Sequence, residues 1–123
     1  MVLAGCVIAE SLRTGAALED VPLTVTRIWR ADAGDVSVGQ PLTWTFIGFE
    51  APEEHAEALT GALREALDEP LGWYCDFRSP EETFVVFAGR AFRYPRGDRA
   101  GRAEAEAYAR AAGVPEAQVD WPE

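Results

Sequence analysis

The chain has few of the residues on which metal sites and acid–base catalysis depend. Its 123 residues include one histidine, His55, and two cysteines, Cys6 and Cys75, which stand far apart and form no CxxC pair. A histidine-rich metal site, a pair of histidine acid–base groups and a disulfide framework are therefore excluded. The common glycine-rich nucleotide loops, GxGxxG and GxxxxGK[ST], are absent too. We accordingly predict no metal, no cofactor and no catalytic residue.

Lysine and asparagine are absent, and positive charge is scarce. All 11 basic residues are arginines, against 21 acidic residues, which gives a net charge of −10. Such a chain repels phosphate backbones and anionic membrane surfaces, so we expect neither nucleic-acid binding nor membrane docking. A basic protein partner stays electrostatically favourable. A composition rich in alanine and arginine but free of lysine is typical of a GC-rich bacterial genome.

Long apolar runs are missing as well, since no stretch approaches the ~20 residues of a membrane-spanning helix. Two isolated thiols fit a reducing compartment, and together these features predict a cytoplasmic protein. The hydrophobic fraction of 48% is enough for one core, and the length fits one domain over residues 1–123.

Hydrophobic patterning predicts three strands and a helix in the first half of the chain. The strands cover residues 1–12, 23–30 and 42–50, with a β-bulge expected at Ile28-Trp29, where the alternation slips, and a loop over residues 31–41. The helix covers residues 52–67, because Pro52 suits a first helical turn and apolar residues then recur every three or four positions.

The second half repeats this order. Strands are predicted over residues 72–78, 83–88 and 90–94, and a helix over residues 99–112 with Asp98 as its N-cap and Gly113 just beyond its end. The fold class is therefore α+β, with a mainly antiparallel sheet of about six strands and two helices in the order βββαβββα. We expect both helices to pack on one face of the sheet.

The strands of the second half carry the candidate binding site. Period-two alternation places Trp73, Cys75 and Phe77 on one face of their strand, and the opposite face presents Tyr74, Asp76 and Arg78. If the neighbouring strand pairs with this region, Arg93 and Tyr94 add a guanidinium and a second phenol. We therefore predict a ligand-binding cluster at Tyr74, Asp76, Arg78, Arg93 and Tyr94. The alternative is a purely structural pairing of Asp76 with Arg78 or Arg93 across the sheet.

Parts of this half resemble a family of small uncharacterised bacterial proteins. The resembling segments are the Trp73-Tyr74-Cys75-Asp76-Phe77 strand, the hydrophobic hairpin over residues 84–94 and the closing element over residues 113–120, which begins Gly-Val-Pro and carries Gln118. Members share a Trp-Tyr-x-Asp-Phe strand motif and a C-terminal Gly-Ile/Val-Pro-x-x-Gln element. The resemblance implies a free-standing bacterial domain and carries no activity, cofactor or site residue with it.

Three functions remain open. The first is a binding or interaction module without chemistry, which could form a homodimer through a sheet edge. The second is a small ligand-binding protein or enzyme that uses the polar cluster on residues 72–94. The third is an acidic inhibitor or immunity-type protein that neutralises a basic partner, an idea that rests on the charge of −10.

Overall fold

The computed structural model describes residues 1–122. It contains two α-helices, α1 (Ala56–Ala66) and α2 (Arg99–Ala111), and six β-strands: β1 (Val2–Ile8), β2 (Thr24–Asp32), β3 (Thr43–Pro52), β4 (Cys75–Arg78), β5 (Glu82–Phe87) and β6 (Arg90–Pro95). The predicted order βββαβββα is confirmed. The boundaries differ most at β1, which ends at Ile8, and at α1, where β3 continues through Pro52 and a single tight turn over Glu53–His55 precedes the helix.

The six strands form one sheet in the spatial order β2-β3-β1-β4-β5-β6, and each neighbouring pair is antiparallel. Strand β1 is central because it pairs with β3 on one side and with β4 on the other. The connection from β3 through α1 to β4 therefore crosses over β1. This arrangement confirms the predicted α+β class with an antiparallel sheet.

The two helices lie on opposite faces of this sheet, so the expectation that both pack on one face is wrong. Leu59 and Leu63 of α1 join the core that contains Phe84 and Val86, which point to one face of β5. The core that contains α2 is built on Val85 and Phe87, the alternate residues of the same strand. Because β5 is apolar on both faces, each face has to be covered, and one helix covers each.

Strand β2 contains a bulge, but two positions before the predicted Ile28-Trp29. The register shifts between Val25 and Arg27, which leaves Thr26 as the extra residue, and the strand is regular at Ile28-Trp29. The shift places Trp29 opposite Phe46 of β3, where the two rings stack with centroids 5.1 Å apart. A bulge re-aims the side chains that follow it, and here it brings the indole onto its stacking partner.

Helix α2 begins as the sequence indicates, because the Asp98 carboxylate accepts a hydrogen bond from the backbone N–H of Gly101 at 3.2 Å. The helix packs against β5 and β6 through Ala105, Ala109 and Tyr108. On this face, here called the α2 face, the neighbouring strands β4, β1 and β3 continue beyond the helix. That stretch of the α2 face is where the candidate site lies.

Candidate functional site

A cavity of about 310 Å³ opens on the α2 face beside the helix-covered region. Its floor comes from β1, β3 and β4, and its walls come from the segment before β4, the loop after β2 and the C-terminal segment. The residues that line it are Cys6, Ile8, Asp32, Ala33, Asp35, Trp44, Phe46, Trp73, Tyr74, Asp76, Ala117, Gln118 and Asp120.

The register of the sheet assembles the floor of this cavity. Cys6 of β1 lies opposite Asp76 of β4, and Ile8 of β1 lies opposite Phe46 of β3. Directly opposed residues in an antiparallel sheet point to the same face, so these four side chains share the α2 face. A close approach of β1 and β4 supports this pairing, because a Cβ added at Gly5 would lie 2.5 Å from the Cβ of Phe77.

Aromatic rings form one side of the cavity. The Trp44 and Trp73 rings meet edge to face with centroids 5.1 Å apart, and Trp44 also packs on Phe46 with centroids at 6.1 Å. The Trp44 indole is oriented by a 2.8 Å hydrogen bond that its Nε1 donates to the Pro41 carbonyl. Both tryptophans are buried, which holds the two indoles in place before any ligand arrives.

Tyr74 connects the floor to the C-terminal wall. Its hydroxyl donates a hydrogen bond to the Gln118 carbonyl and lies 3.3 Å from Oδ1 of Asp120. Burial, together with the nearby Asp76 and Asp120 carboxylates, raises the pKa of this phenol well above its ordinary value. The hydroxyl therefore stays protonated and acts as a hydrogen-bond donor that fixes the wall.

Asp76 is the half-buried carboxylate at the floor. Burial raises its pKa from 3.8 to about 6, and the Arg78 guanidinium opposes that shift while Asp120 adds to it. The ion pair with Arg78 is long, with Nη2 of the arginine 4.0 Å from Oδ2 of the aspartate. Asp76 thus titrates near neutral pH, with its closest cation too distant for a hydrogen bond.

A network of hydrogen bonds made by the Gln118 and Gln40 side chains, here called the clasp, connects the loops of the far wall. The Gln118 side-chain amide donates to the Asp35 carbonyl at 2.8 Å and to Oε1 of Gln40 at 3.0 Å. The Gln40 amide in turn donates to the Leu71 carbonyl at 2.6 Å. Leu71 has a φ of +76°, a strained conformation for a branched residue that persists only where the surroundings enforce it. The clasp joins three loops that are far apart in sequence.

The structure brings together two of the five residues predicted for the site. Tyr74 and Asp76 line the cavity, and Arg78 lies beside Asp76 just outside the lining. Tyr94 is on the same face but is buried in the core beneath α2. There its hydroxyl accepts a 2.8 Å hydrogen bond from Nε1 of Trp121. The Trp121 indole is 2% exposed, so the C-terminal segment packs back on the domain.

Arg93 does not join the cluster, contrary to the sequence-based expectation. It lies opposite Phe84, and Phe84 lies opposite Phe77, so all three point to the face that carries α1. There Arg93 forms a two-pronged ion pair with Glu82, with both hydrogen bonds at 2.7 Å. The pairing register of β4, β5 and β6 therefore separates Arg93 from Asp76 by the thickness of the sheet.

Sequence reasoning missed the residues that reach the cavity from elsewhere in the chain. These are Cys6, Asp32, Asp35, Gln118 and Asp120, together with the Trp44 and Phe46 rings. The hydrogen bond between Gln118 and Asp35 spans 83 positions. No local pattern specifies such a contact, although a tryptophan so close to the end of the sequence, Trp121, is a signal that the C-terminal segment folds onto the sheet.

The lining offers recognition groups more than reactive ones. Burial, and then the Asp76 carboxylate, raises the pKa of the Cys6 thiol, so the thiolate that nucleophilic chemistry requires is disfavoured. His55 lies in the turn before α1 and does not line the cavity. Within residues 1–122, no group of three or more His, Cys, Asp or Glu side chains is placed to hold a metal ion.

Comparisons with known proteins add no identity to this geometry. No protein-family model, no curated protein and no solved structure matches the chain. The resemblance of the C-terminal half to small bacterial proteins therefore stays a prediction. Among the helices of residues 1–122, none is long and apolar enough to cross a membrane.

Proposed function

We propose that this chain is a non-catalytic binding protein and that a small organic molecule occupies the cavity beside Tyr74 and Asp76. The observation that carries the proposal is the cavity itself, a concave space of about 310 Å³ with aromatic walls and a few convergent polar groups. Small-ligand sites have this composition, and their volumes begin at roughly 300 Å³. A volume at the lower end of this range suits a compact ligand.

The polar groups of the lining support binding over chemistry. Catalysis by proton transfer or by a nucleophile needs a reactive group with a second group poised to activate it. Tyr74 is committed to the Gln118 carbonyl, and the Cys6 thiol is held neutral. Asp76 is then a contact for a ligand, because two other titratable groups of the lining, the Cys6 thiol and the Tyr74 phenol, have pKa values that burial raises and so stay protonated.

The cavity can be tested by filling it. Ala33 is half-buried at its rim, so Ala33→Trp places an indole in the ligand volume, whereas Ala103→Trp adds the same side chain to an exposed position on α2. The wild type and both variants are screened against a fragment library by native mass spectrometry, with Trp44 and Trp73 as fluorescence reporters. We expect one-to-one complexes with the wild type and with Ala103→Trp only.

Two results would overturn the proposed function. One is a library in which no compound binds the wild type. The other is equal binding to the wild type and to Ala33→Trp, since that would place the ligand outside this cavity. Circular dichroism spectra of all three proteins establish that Ala33→Trp keeps the fold.

A further inference from the structure

The cavity is lined by negative charge alone. Four acidic residues belong to the lining, Asp32, Asp35, Asp76 and Asp120, and none of the 11 arginines does among residues 1–122, since Arg78 lies just outside it beside Asp76. A concave site with one sign of charge and low-dielectric walls concentrates ligands of the opposite sign. The chain as a whole carries −10, which adds to the same field.

The aromatic rings of the lining also favour a cationic ligand, independently of the acidic residues. Trp44, Phe46, Trp73 and Tyr74 all contribute to the lining. The face of an aromatic ring is the negative end of its quadrupole, and tryptophan and tyrosine attract ammonium and guanidinium groups most strongly. Clustered rings next to a carboxylate are how proteins recognise quaternary and alkylated ammonium groups.

From these two observations we infer that the ligand is a small organic cation, an ammonium or guanidinium on a compact apolar body, with its charged group beside Asp76. This inference rests on the proposed function, because it names the class of molecule for the same cavity. Asp76 is the carboxylate at the floor, between the aromatic wall and β1. Its long ion pair with Arg78 leaves room for a closer cationic partner.

Other ligand classes fit the lining less well. An anion would meet a lining whose charged residues are all acidic, and Arg78, just outside the lining, is already paired with Asp76. A neutral molecule would remove water from Asp76 and provide no charge in return, which costs binding energy. A lysine or arginine side chain presented by a protein has the same cationic chemistry, so the experiment includes it as a separate arm.

The test uses ligands matched in shape and different in charge. Choline and 3,3-dimethylbutanol form one pair, benzylamine and benzyl alcohol form another, and benzoate is the anion of similar size. A short lysine-containing peptide represents a protein-borne cation. Binding to the wild type is measured by titration calorimetry and by tryptophan fluorescence. We expect each cation to bind about tenfold or more tightly than its neutral partner, with benzoate the weakest.

The variant Asp76→Asn removes the charge and keeps the shape of the side chain. We expect the preference for cations to fall about tenfold in this variant and to be unchanged in Glu104→Gln, which removes the same charge from an exposed position on α2. A second variant, Asp120→Asn, tests the rim in case Asp76→Asn does not fold. An unchanged preference in both cavity variants would contradict the assignment.

The outcomes separate this inference from the proposed function. Equal binding of charged and neutral partners, or tighter binding of benzoate, would overturn the cation class and leave the cavity as a binding site. A lysine peptide that binds much more tightly than choline and benzylamine would replace the small molecule with a basic protein. Failure of every probe, with a different class of compound recovered from the fragment screen, would also reject the cation.

Discussion

At Asp76 the charged form of the carboxyl, which would bind a cation, is the form that the folded chain disfavours. Its carboxyl has a pKa of about 6 in the folded chain and an ordinary value of 3.8, and its side chain is 23% exposed. The folded state therefore holds this proton more tightly than the unfolded state does. It follows that the contribution of Asp76 to stability is best below pH 4 and is lost as the pH rises towards and through 6.

A change of this carboxylate to an amide should stabilise the protein at neutral pH. The difference of about two pKa units corresponds to roughly 2–3 kcal/mol, so we expect Asp76→Asn to unfold at a higher urea concentration than the wild type at pH 7–8. At pH 4 the two proteins should be nearly equal. Urea unfolding followed by circular dichroism from pH 4 to pH 8 measures this. A stability gap that does not change with pH would assign the effect to packing instead of charge.

The Tyr74 hydroxyl holds the C-terminal wall of the cavity through its hydrogen bond to the Gln118 carbonyl. Removing it in Tyr74→Phe keeps the ring on Trp121, at a centroid distance of 5.3 Å, but leaves the Gln118 carbonyl without its donor. We expect a loss of about 1–2 kcal/mol in the free energy of unfolding. Faster amide hydrogen exchange over residues 115–122 should accompany that loss.

Tyr108→Phe is the matched control for this change. The described contacts of Tyr108 are made by its ring, which packs on Phe87 at 4.9 Å and on Phe92 at 5.5 Å. Loss of its hydroxyl should change the stability by less than about 0.5 kcal/mol. Equal losses in the two variants would mean that the hydroxyl of Tyr74 does not secure the C-terminal segment.

At the scale of secondary-structure elements, the two helices respond oppositely to the same substitution. A Cβ at Gly101 of α2 would lie 2.6 Å from the Cβ of Tyr94, so Gly101→Ala has to push the helix away from β6. At Gly61 of α1, the only such neighbour within 4 Å is a terminal nitrogen of Arg64, at 4.0 Å. We expect Gly101→Ala to destabilise by about 1–3 kcal/mol and Gly61→Ala to stabilise by about 0.5–1 kcal/mol. Chemical unfolding of both variants measures the two signs, and the same sign for both would contradict the packing geometry.

Local pattern was sufficient to predict the elements themselves. Alternation of apolar and polar residues predicted the strands, and the Asp98 cap predicted the start of α2. It did not reveal that the helices take opposite faces, because periodicity tells which residues are apolar and not which partner covers them. The apolar character of all four residues 84–87 was the relevant signal, since a strand buried on both faces needs two coverings.

The candidate site was predictable only in part, for reasons of register. Alternation along one strand placed Tyr74 and Asp76 together. The side taken by Arg93 depends on pairing across two hairpins, and counting through the two-residue turn at Ala88-Gly89 pairs Phe84 with Arg93 and puts the guanidinium on the far face. The acidic residues of the other walls come from distant segments and depend on tertiary folding.

At the scale of the whole molecule, β5 joins the two cores. Phe84 and Val86 pack towards α1, and Val85 and Phe87 pack towards α2. Neither core can lose its packing without exposing the other side of the same strand. This sharing leads us to expect one cooperative unit over the chain, which is the physical content of the single-domain prediction.

Destabilising either face should therefore shift one common transition. Leu63→Ala removes packing beneath α1, and Phe87→Ala removes packing beneath α2; both side chains are at most 2% exposed. We expect each substitution to cost about 3–4 kcal/mol and to move the urea midpoints seen by circular dichroism and by tryptophan fluorescence together. The exposed change Glu104→Gln should leave both midpoints in place. If Phe87→Ala separated the two signals, the α2 face would unfold by itself, and the cavity would then lie on a locally unfolding part of the sheet rather than on a rigid one.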